Sequence, residues 1–135
     1  MNEQDKELLF IDLLGRIPYN LKCEYKDELY EIIGYAHGRV VLVKPFMSST
    51  ISPLIEEVKP YLFPMSSMTE EQREEYESLC IKETSECTDL YSIIFTKDYY
   101  YDTIESIDFL YKNHIDIRGL IPKGLGIDSS NLNIY

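Results

Sequence analysis

The residues best suited to chemistry lie near the end of the chain, where a histidine, a carboxylate and an arginine are closely spaced. His114 and Asp116 are two residues apart, and Arg118 follows two residues later. An imidazole beside a carboxylate can act as a general base or supply half of a metal site. A guanidinium can bind a ligand carboxylate or phosphate through two hydrogen bonds. These three side chains define one hypothesis, a small enzyme or ligand-binding domain.

His114 and Arg118 also have structural interpretations, which we favour. A histidine at the end of a helix can satisfy terminal carbonyl groups and the helix dipole, and His114 follows a predicted helix. Arg118 can form an internal ion pair, because the chain contains 24 acidic residues. The second histidine, His37, stands beside Gly38 in a predicted hairpin turn, where exposure to solvent explains it.

The cysteines and glycines give no strong motif for a metal or a cofactor. Cys80 and Cys87 are separated by six residues, which is too wide for a usual pair of zinc ligands, and no second pair follows. The segment Gly119–Gly126 has the glycines of a phosphate loop but lacks its G-K-[ST] ending, so a turn-rich tail is the better interpretation. We therefore expect no metal and no cofactor.

An acidic helix is predicted immediately after a proline-rich segment. Thr69 has the character of an N-cap, and Gln72 completes a capping box three residues later. The helix should run from Thr69 to about Leu79, with a cluster of carboxylates on its solvated face, at Glu70, Glu71, Glu74 and Glu75. Residues 69–89 carry −6 of the net charge of −11, so this cluster is a candidate interaction surface as well as a source of solubility.

The overall charge and composition limit the partners. With 13 Lys and Arg against 24 Asp and Glu, the chain repels nucleic-acid backbones and anionic membranes, so we expect no direct binding to either. The longest aliphatic run, Val40 to Val43, is far shorter than a membrane span. Residues Met1 to Glu7 are polar, unlike a signal peptide, and the three cysteines form no CxxC pair. These features predict a cytoplasmic location.

Local patterns predict a helix and then a meander in the first half of the chain. Apolar residues at helical spacing predict a helix over Gln4 to Leu14, capped by Asn2 or Asp5 and ended by Gly15. Short connections then predict antiparallel strands, over Leu21 to Lys26, Leu29 to Tyr35 and Arg39 to Lys44. Because Pro60 and Pro64 lack a backbone donor, Tyr61 to Phe63 should be an edge strand or an extended crossing.

The second half of the chain gives fewer signals. Leu90 to Phe95 permits a strand, whereas Cys80 to Asp89 is too polar to assign. Asp102 and Glu105 have the spacing of a second capping box, which predicts a helix from Thr103 to about Asn113. We expect its residues Ile107 and Leu110 to be nearly fully buried.

These elements predict one α+β domain that comprises residues 1–135. The predicted fold is an antiparallel meander sheet of four or five strands between Leu21 and Phe63, with a further strand near Leu90 to Phe95. An N-terminal helix and two later helices should pack on one face of that sheet.

Three stretches and the final residues carry a resemblance. They are LLGRIPYNL, KPYLFPMSSMTEEQREEY and SIDFLYKNHIDIRGLIPKGLGID, together with the ending LNIY. On these stretches, which cover nearly half of the sequence, the chain resembles a group of small proteins from Bacteroidales bacteria and their phages or integrated elements. The resemblance implies a phage or mobile-element context and a cytosolic setting. The group has no assigned activity, so the resemblance implies no catalytic residue.

Two functional hypotheses follow from the sequence. The favoured one is a non-enzymatic acidic interaction protein, an inhibitor or adaptor that binds a basic site on a host protein through Glu70, Glu71, Glu74 and Glu75. The alternative is the small enzyme or ligand-binding domain that uses His114, Asp116 and Arg118. The first is favoured because no catalytic motif is strong, whereas the asymmetry of charge is plain.

Overall fold

The computed structural model describes residues 1–88 and 94–135, together with the side chains of all of these except 84–88 and 94–99. The chain forms two compact units. Unit 1 comprises Met1–Ser67 and Tyr111–Tyr135, and unit 2 comprises Met68–Leu110. The α+β class is confirmed, because the described residues form three helices, one of them N-terminal, and a mostly antiparallel sheet. That residues 1–135 form a single domain stays a prediction.

Unit 1 begins with helix α1, Glu3–Arg16, which is two residues longer at its C-terminal end than predicted. Its N-cap is Asn2, whose side-chain oxygen accepts a hydrogen bond of 2.7 Å from the Asp5 amide. Gly15 lies inside the helix, so the prediction that it ends the helix was wrong. The lack of a Cβ atom here leaves room for the Tyr111 ring. The helix passes into a short 3-10 turn, Ile17–Tyr19, where Pro18 lies near the start.

The predicted antiparallel meander is confirmed. It consists of four strands, β1 (Lys22–Tyr25), β2 (Glu28–Ala36), β3 (Arg39–Val43) and β4 (Thr50–Ile51). Two-residue turns join the first three strands, Lys26 with Asp27 and His37 with Gly38, and all four residues have positive φ. Such turns match the right-handed twist of the strands they connect. His37 is exposed, as predicted for this turn.

Strand β5, Lys59–Pro64, is not an edge strand, so that prediction was wrong. It pairs antiparallel with β1 and parallel with two short strands of the C-terminal segment, β8 (Ile115–Asp116) and β9 (Ile127–Asp128). The prolines occupy the second and last positions of β5, which leaves the amide of Phe63 free to donate to the His114 carbonyl at 2.8 Å. The hydrogen bond to the segment of β8 is thus donated by Phe63 and not by either proline, which has no backbone N–H.

The core of unit 1 lies between α1 and the sheet and includes residues of the C-terminal segment. Leu62 of β5 and Leu120 are both fully buried in it. Among the residues whose side chains are described, this cluster comprises Leu9, Leu13, Leu21, Cys23, Ile32, Val40, Leu42, Ile55, Val58, Leu62, Leu120 and Leu125. The C-terminal segment therefore contributes to the core through Leu120 and Leu125.

Unit 2 contains helix α2 (Glu70–Leu79), strands β6 (Ile81–Thr88) and β7 (Ile94–Tyr101), and most of helix α3 (Ile104–Lys112). The two strands pair antiparallel in a two-stranded sheet, from Ile81 opposite Tyr101 to Thr88 opposite Ile94. The strand predicted near Leu90 to Phe95 is therefore described only from Ile94, and residues 90–93 lie outside the described residues. The polar segment that the sequence left unassigned forms β6.

The start and the buried face of α3 are each offset from the prediction. Thr103 accepts a hydrogen bond of 3.1 Å from the Ser106 amide, and the Thr103 amide donates to Ser106 Oγ at 2.7 Å. This reciprocal cap replaces the predicted pair of Asp102 and Glu105. Ser106, Phe109 and Leu110 are buried, whereas Ile107 is only half-buried and Ile104 is 80% exposed. The prediction that Leu110 is buried is confirmed. The prediction for Ile107 was wrong, because Ser106 lies on the buried face of the helix in its place.

The longest helix described is α1, with 14 residues. Within residues 1–88 and 94–135, no helix combines the length and the apolar character that crossing a membrane requires.

Candidate functional site

Helix α2 presents the four predicted glutamates on one face. Its start is fixed by the predicted capping box, in which the Gln72 amide donates to Thr69 Oγ1 at 3.1 Å and the Thr69 amide donates to the Gln72 side chain at 3.0 Å. Glutamates at relative positions 1, 2, 5 and 6 of a helix cover an arc of about 140°. All four side chains are exposed, namely Glu70, Glu71, Glu74 and Glu75, and we call them the α2 carboxylates.

The α2 carboxylates are not neutralised within the described structure. None of them forms an ion pair with another described side chain. Glu70 and Glu71 lie in the first turn, where the helix dipole favours negative charge, but Glu74 and Glu75 lie beyond it. Like charges four residues apart, as in Glu70 with Glu74, destabilise a helix by about 0.2–0.5 kcal/mol per pair. The exposed Arg73 of the same helix forms no described ion pair with them either, so the four charges repel one another with only this one cation within α2.

His114 is enclosed within unit 1. Its backbone has a φ of 60°, in the left-handed region, just after the end of α3. Its ring stacks on the Tyr135 ring with centroids 3.8 Å apart. Burial lowers the pKa of His114 to about 4, and the positive charges of Arg16 and Lys22 act in the same direction. The imidazole is therefore neutral at pH 7, and the Tyr135 ring covers one of its faces.

Asp116 organises the turn that follows β8. One carboxylate oxygen accepts a hydrogen bond of 2.9 Å from the Leu120 amide, and the other accepts one of 2.9 Å from the Ile121 amide. The amides of Leu125 and Gly126 donate to the Leu120 carbonyl. The amides that a phosphate loop would direct at a ligand are thus used inside the protein in this segment.

Arg118 belongs to a buried charge cluster centred on Asp12, which the sequence did not reveal. Its guanidinium donates to Asp12 Oδ1 at 3.0 Å and to the Tyr111 hydroxyl at 2.8 Å. Arg16 donates to both oxygens of the same carboxylate, at 2.7 and 3.1 Å, and to the Ile115 carbonyl at 2.6 Å. Asp12 and Arg16 are fully buried. One carboxylate therefore holds two guanidinium groups, and the Arg118 ion pair with an acidic residue is present.

The sequence indicates only one contact of this cluster, the ion pair between Asp12 and Arg16. Asp12 and Arg16 are four residues apart on a helix, a spacing at which opposite charges meet. Tyr111 gives no such signal, yet the guanidinium carbons of Arg16 and Arg118 lie 4.9 and 5.8 Å from the centre of its ring. No sequence pattern indicates a structural role for Tyr135 either. Its hydroxyl donates to the Tyr61 carbonyl at 2.8 Å.

The structure brings His114, Asp116 and Arg118 into one region but directs them to different partners. Among the described side chains, Arg16 Nη1 and His114 Nδ1 are the buried polar atoms without a hydrogen-bond partner. None of the described grooves is lined by His114, Asp116 or Arg118. Hydrogen bonds from Arg118 to Asp12 and from Arg16 to the Ile115 carbonyl connect the C-terminal segment with α1.

The cysteines and acidic residues offer no described metal site. In the part of the chain that the structure describes, no three His, Cys, Asp or Glu side chains converge on one point that could hold a metal ion. Cys23 and Cys80 are free thiols. Burial raises the pKa of Cys23 to about 12, so its thiol stays protonated and unreactive. The side chain of Cys87 lies outside the described residues.

Gly15 provides a test of how tightly α1 packs on the charge cluster. A Cβ atom at this position would lie 2.6 Å from Tyr111 Cε2 and 2.8 Å from Tyr111 Cζ. Alanine normally stabilises a helix interior by about 1 kcal/mol relative to glycine. Displacing the buried ring should cost more, so we expect Gly15→Ala to lower the free energy of unfolding by about 1 kcal/mol in a denaturant titration.

Gly34→Ala, in strand β2, is a control for adding a methyl group where no aromatic ring is displaced. The added methyl group would meet only Val41, at an ordinary 3.8 Å, so it forces no side chain to move. A Gly15→Ala protein that is more stable than the parent would contradict the described packing of Tyr111.

Two arrangements therefore stand out chemically, the α2 carboxylates of unit 2 and the buried charge cluster of unit 1. The first can attract cationic groups from solvent, and the second holds cations already supplied by the chain. A scan of the chain against protein-family models found no match, and searches of the curated proteins and of the solved structures found none either.

Proposed function

We propose that the protein is a non-enzymatic acidic interaction protein, in which the α2 carboxylates bind a basic site on another protein. The observation that carries this proposal is the set of four exposed glutamates on one helix face, without an ion-pair partner among the described side chains. A lysine- or arginine-rich surface would relieve the repulsion between them. Complementary charge of this kind speeds association and selects partners.

The spacing of the carboxylates fits a partner site that holds an anionic polymer. From Glu70 to Glu75 the helix rises by about 7.5 Å, at 1.5 Å per residue. Duplex DNA carries about one phosphate charge per 1.7 Å of its axis. With Arg73 between them, the four glutamates give this length a net charge of −3, about one charge per 2.5 Å, so the density of negative charge is of the same order. We infer that the partner site is one that otherwise holds nucleic acid, and that the protein itself binds neither nucleic acid nor membrane.

The remaining parts of the proposal are its setting and its non-enzymatic character. The resemblance to proteins of Bacteroidales and their phages supports a phage- or element-encoded inhibitor or adaptor that acts in the cytoplasm. The absence of enzymatic activity is supported by the internal use of the alternative site. Both Asp116 oxygens bind backbone amides, and Arg118 binds Asp12 and Tyr111.

The test is a comparison of three baits in an affinity pull-down from a Bacteroidales lysate. The first bait is the parent protein, and the second is the variant Glu70→Gln, Glu71→Gln, Glu74→Gln and Glu75→Gln. The third is a charge-matched control in which other exposed acids are neutralised, namely Asp27→Asn, Glu83→Gln, Glu105→Gln and Asp108→Asn. Both variants should keep the stability of the parent within about 1 kcal/mol, because single exposed charges contribute little.

We expect the parent and the control to retain a partner with a basic surface, and the α2 variant to lose it. Retention of the same partner by all three baits would show that the α2 carboxylates are not the binding surface. Loss by both variants would show that net charge alone drives the association.

A further inference from the structure

Unit 1 contains an open groove of about 550 Å³, formed where the first half of α1 meets the turn between β2 and β3 and the short 3-10 turn Ile55–Glu57. The volume lies in the range of ligand sites, which is about 300–1,000 Å³. None of the α2 carboxylates lines it. We call it the acidic-rimmed groove.

The floor of the groove is apolar and aromatic. The rings of Phe10 and Tyr35 lie 4.8 Å apart at an angle of 53°, and both side chains are half-buried. Ile55 is buried beside them, and Leu54 is 37% exposed. Tilted aromatic pairs of this kind offer both ring faces and ring edges to a further apolar group. The floor therefore suits one large apolar side chain.

The rim carries an excess of negative charge. Glu3, Glu7 and Glu56 line it together with a single cation, Lys6. Lys6 Nζ lies 3.4 Å from a carboxylate oxygen of Glu3 and 3.6 Å from one of Glu56. One ammonium group cannot compensate three carboxylates, so two negative charges remain around an apolar floor.

We propose that the acidic-rimmed groove binds a short segment of a partner protein in which a Phe, Tyr or Leu side chain is flanked by arginine or lysine. The apolar side chain would pack on Phe10 and Tyr35, and the flanking cations would pair with Glu3, Glu7 and Glu56. Arginine suits this rim because its guanidinium binds carboxylates through two hydrogen bonds and stacks on aromatic rings. A second copy of this chain is a poor occupant, because it carries a net charge of −11.

This groove shares no residue with the α2 carboxylates, so either proposal can fail without the other. The probe is a library of random 12-residue peptides displayed on phage and selected on the immobilised full chain. We expect the selected peptides to combine one aromatic or leucine residue with two or more arginines or lysines. Selection of acidic peptides, of uncharged apolar peptides or of none at all would overturn the proposal.

One selected peptide is then synthesised, and its dissociation constant is measured by fluorescence polarisation against three variants. The groove variant is Glu3→Gln, Glu7→Gln and Glu56→Gln, and we expect it to bind at least tenfold more weakly. The matched control, Glu70→Gln, Glu71→Gln and Glu74→Gln, removes the same number of charges elsewhere and should bind like the parent. Leu54→Ser, which removes apolar floor at an exposed position, should weaken binding several-fold.

Two outcomes of these measurements would contradict the proposal. Equal weakening in the groove variant and the control would mean that the peptide senses only net charge. Unchanged binding in both the groove variant and Leu54→Ser would place the peptide elsewhere on the protein. A thermal melt of each variant confirms that the affinities refer to folded protein.

Discussion

Replacing Asp12 with alanine should lower the free energy of unfolding by about 3–5 kcal/mol, because it removes the only carboxylate described between two guanidinium groups. Arg16 would remain fully buried with a positive charge and no counter-ion among the described residues. Of its described side-chain partners Arg118 would keep only Tyr111, through the hydrogen bond to the hydroxyl and the contact of its guanidinium with the ring. The change is measured by chemical denaturation at pH 7.

The surface ion pair of Lys44 with Glu28 is the control for this prediction. Its atoms are 2.9 Å apart, close to the distance in the buried pair, but both side chains are substantially exposed. Exposed pairs contribute about 0–1 kcal/mol, so Glu28→Gln should have a small effect. If Asp12→Ala were no more destabilising than Glu28→Gln, the buried cluster would not hold the C-terminal segment to α1.

The second large effect is a loss of stability in mild acid that is due to His114. Burial, with Arg16 and Lys22, lowers its pKa from 6.5 to about 4. Between these two values the unfolded chain binds a proton that the folded protein does not bind. Stability from this group is therefore fully present above pH 6.5 and falls as the pH approaches 4. The pH value 5 lies about 1.5 units below the unfolded pKa, and each unit corresponds to about 1.4 kcal/mol. The free energy of unfolding at pH 5 should therefore be about 2 kcal/mol lower than at pH 7.5.

The variant His114→Asn isolates this effect. Asparagine does not titrate, and it tolerates the left-handed backbone conformation at this position better than most residues. Free energies of unfolding are measured for both proteins at pH 7.5 and pH 5, a range in which most carboxylates stay ionised. The parent should lose about 2 kcal/mol more than the variant. An equal loss in both proteins would mean that the imidazole is not held neutral by its surroundings.

The features that sequence patterns predicted well are the local ones. The capping box of Thr69 and Gln72 involves residues three positions apart, and the two-residue turns of the meander join adjacent strands. In each case the interacting residues lie within a few positions of one another in the chain. The α+β class follows from the same local periodicities.

The features that were missed depend on contacts between distant parts of the chain. The prolines of β5 favoured an edge, but its partners β8 and β9 are supplied by a segment more than 50 residues later, at Ile115 and Ile127. Arg118 and Asp12 are 106 residues apart in the sequence, and no spacing rule connects them. Likewise, nothing local indicates that Tyr135 covers His114. The α2 carboxylates could be named in advance because exposure on a short, strongly acidic helix is a local property.

The central claim, that the α2 carboxylates form the binding surface, is tested most directly by the association rate with the partner recovered from the lysate. Rates are measured by stopped flow at two ionic strengths for the parent and for Glu70→Gln, Glu71→Gln, Glu74→Gln, Glu75→Gln. Steering by exposed charge acts mainly on association and is screened by salt. We predict that at low salt the parent associates about ten times faster than the variant, and that the difference shrinks at high salt. Equal rates for the two proteins at both ionic strengths would contradict the claim.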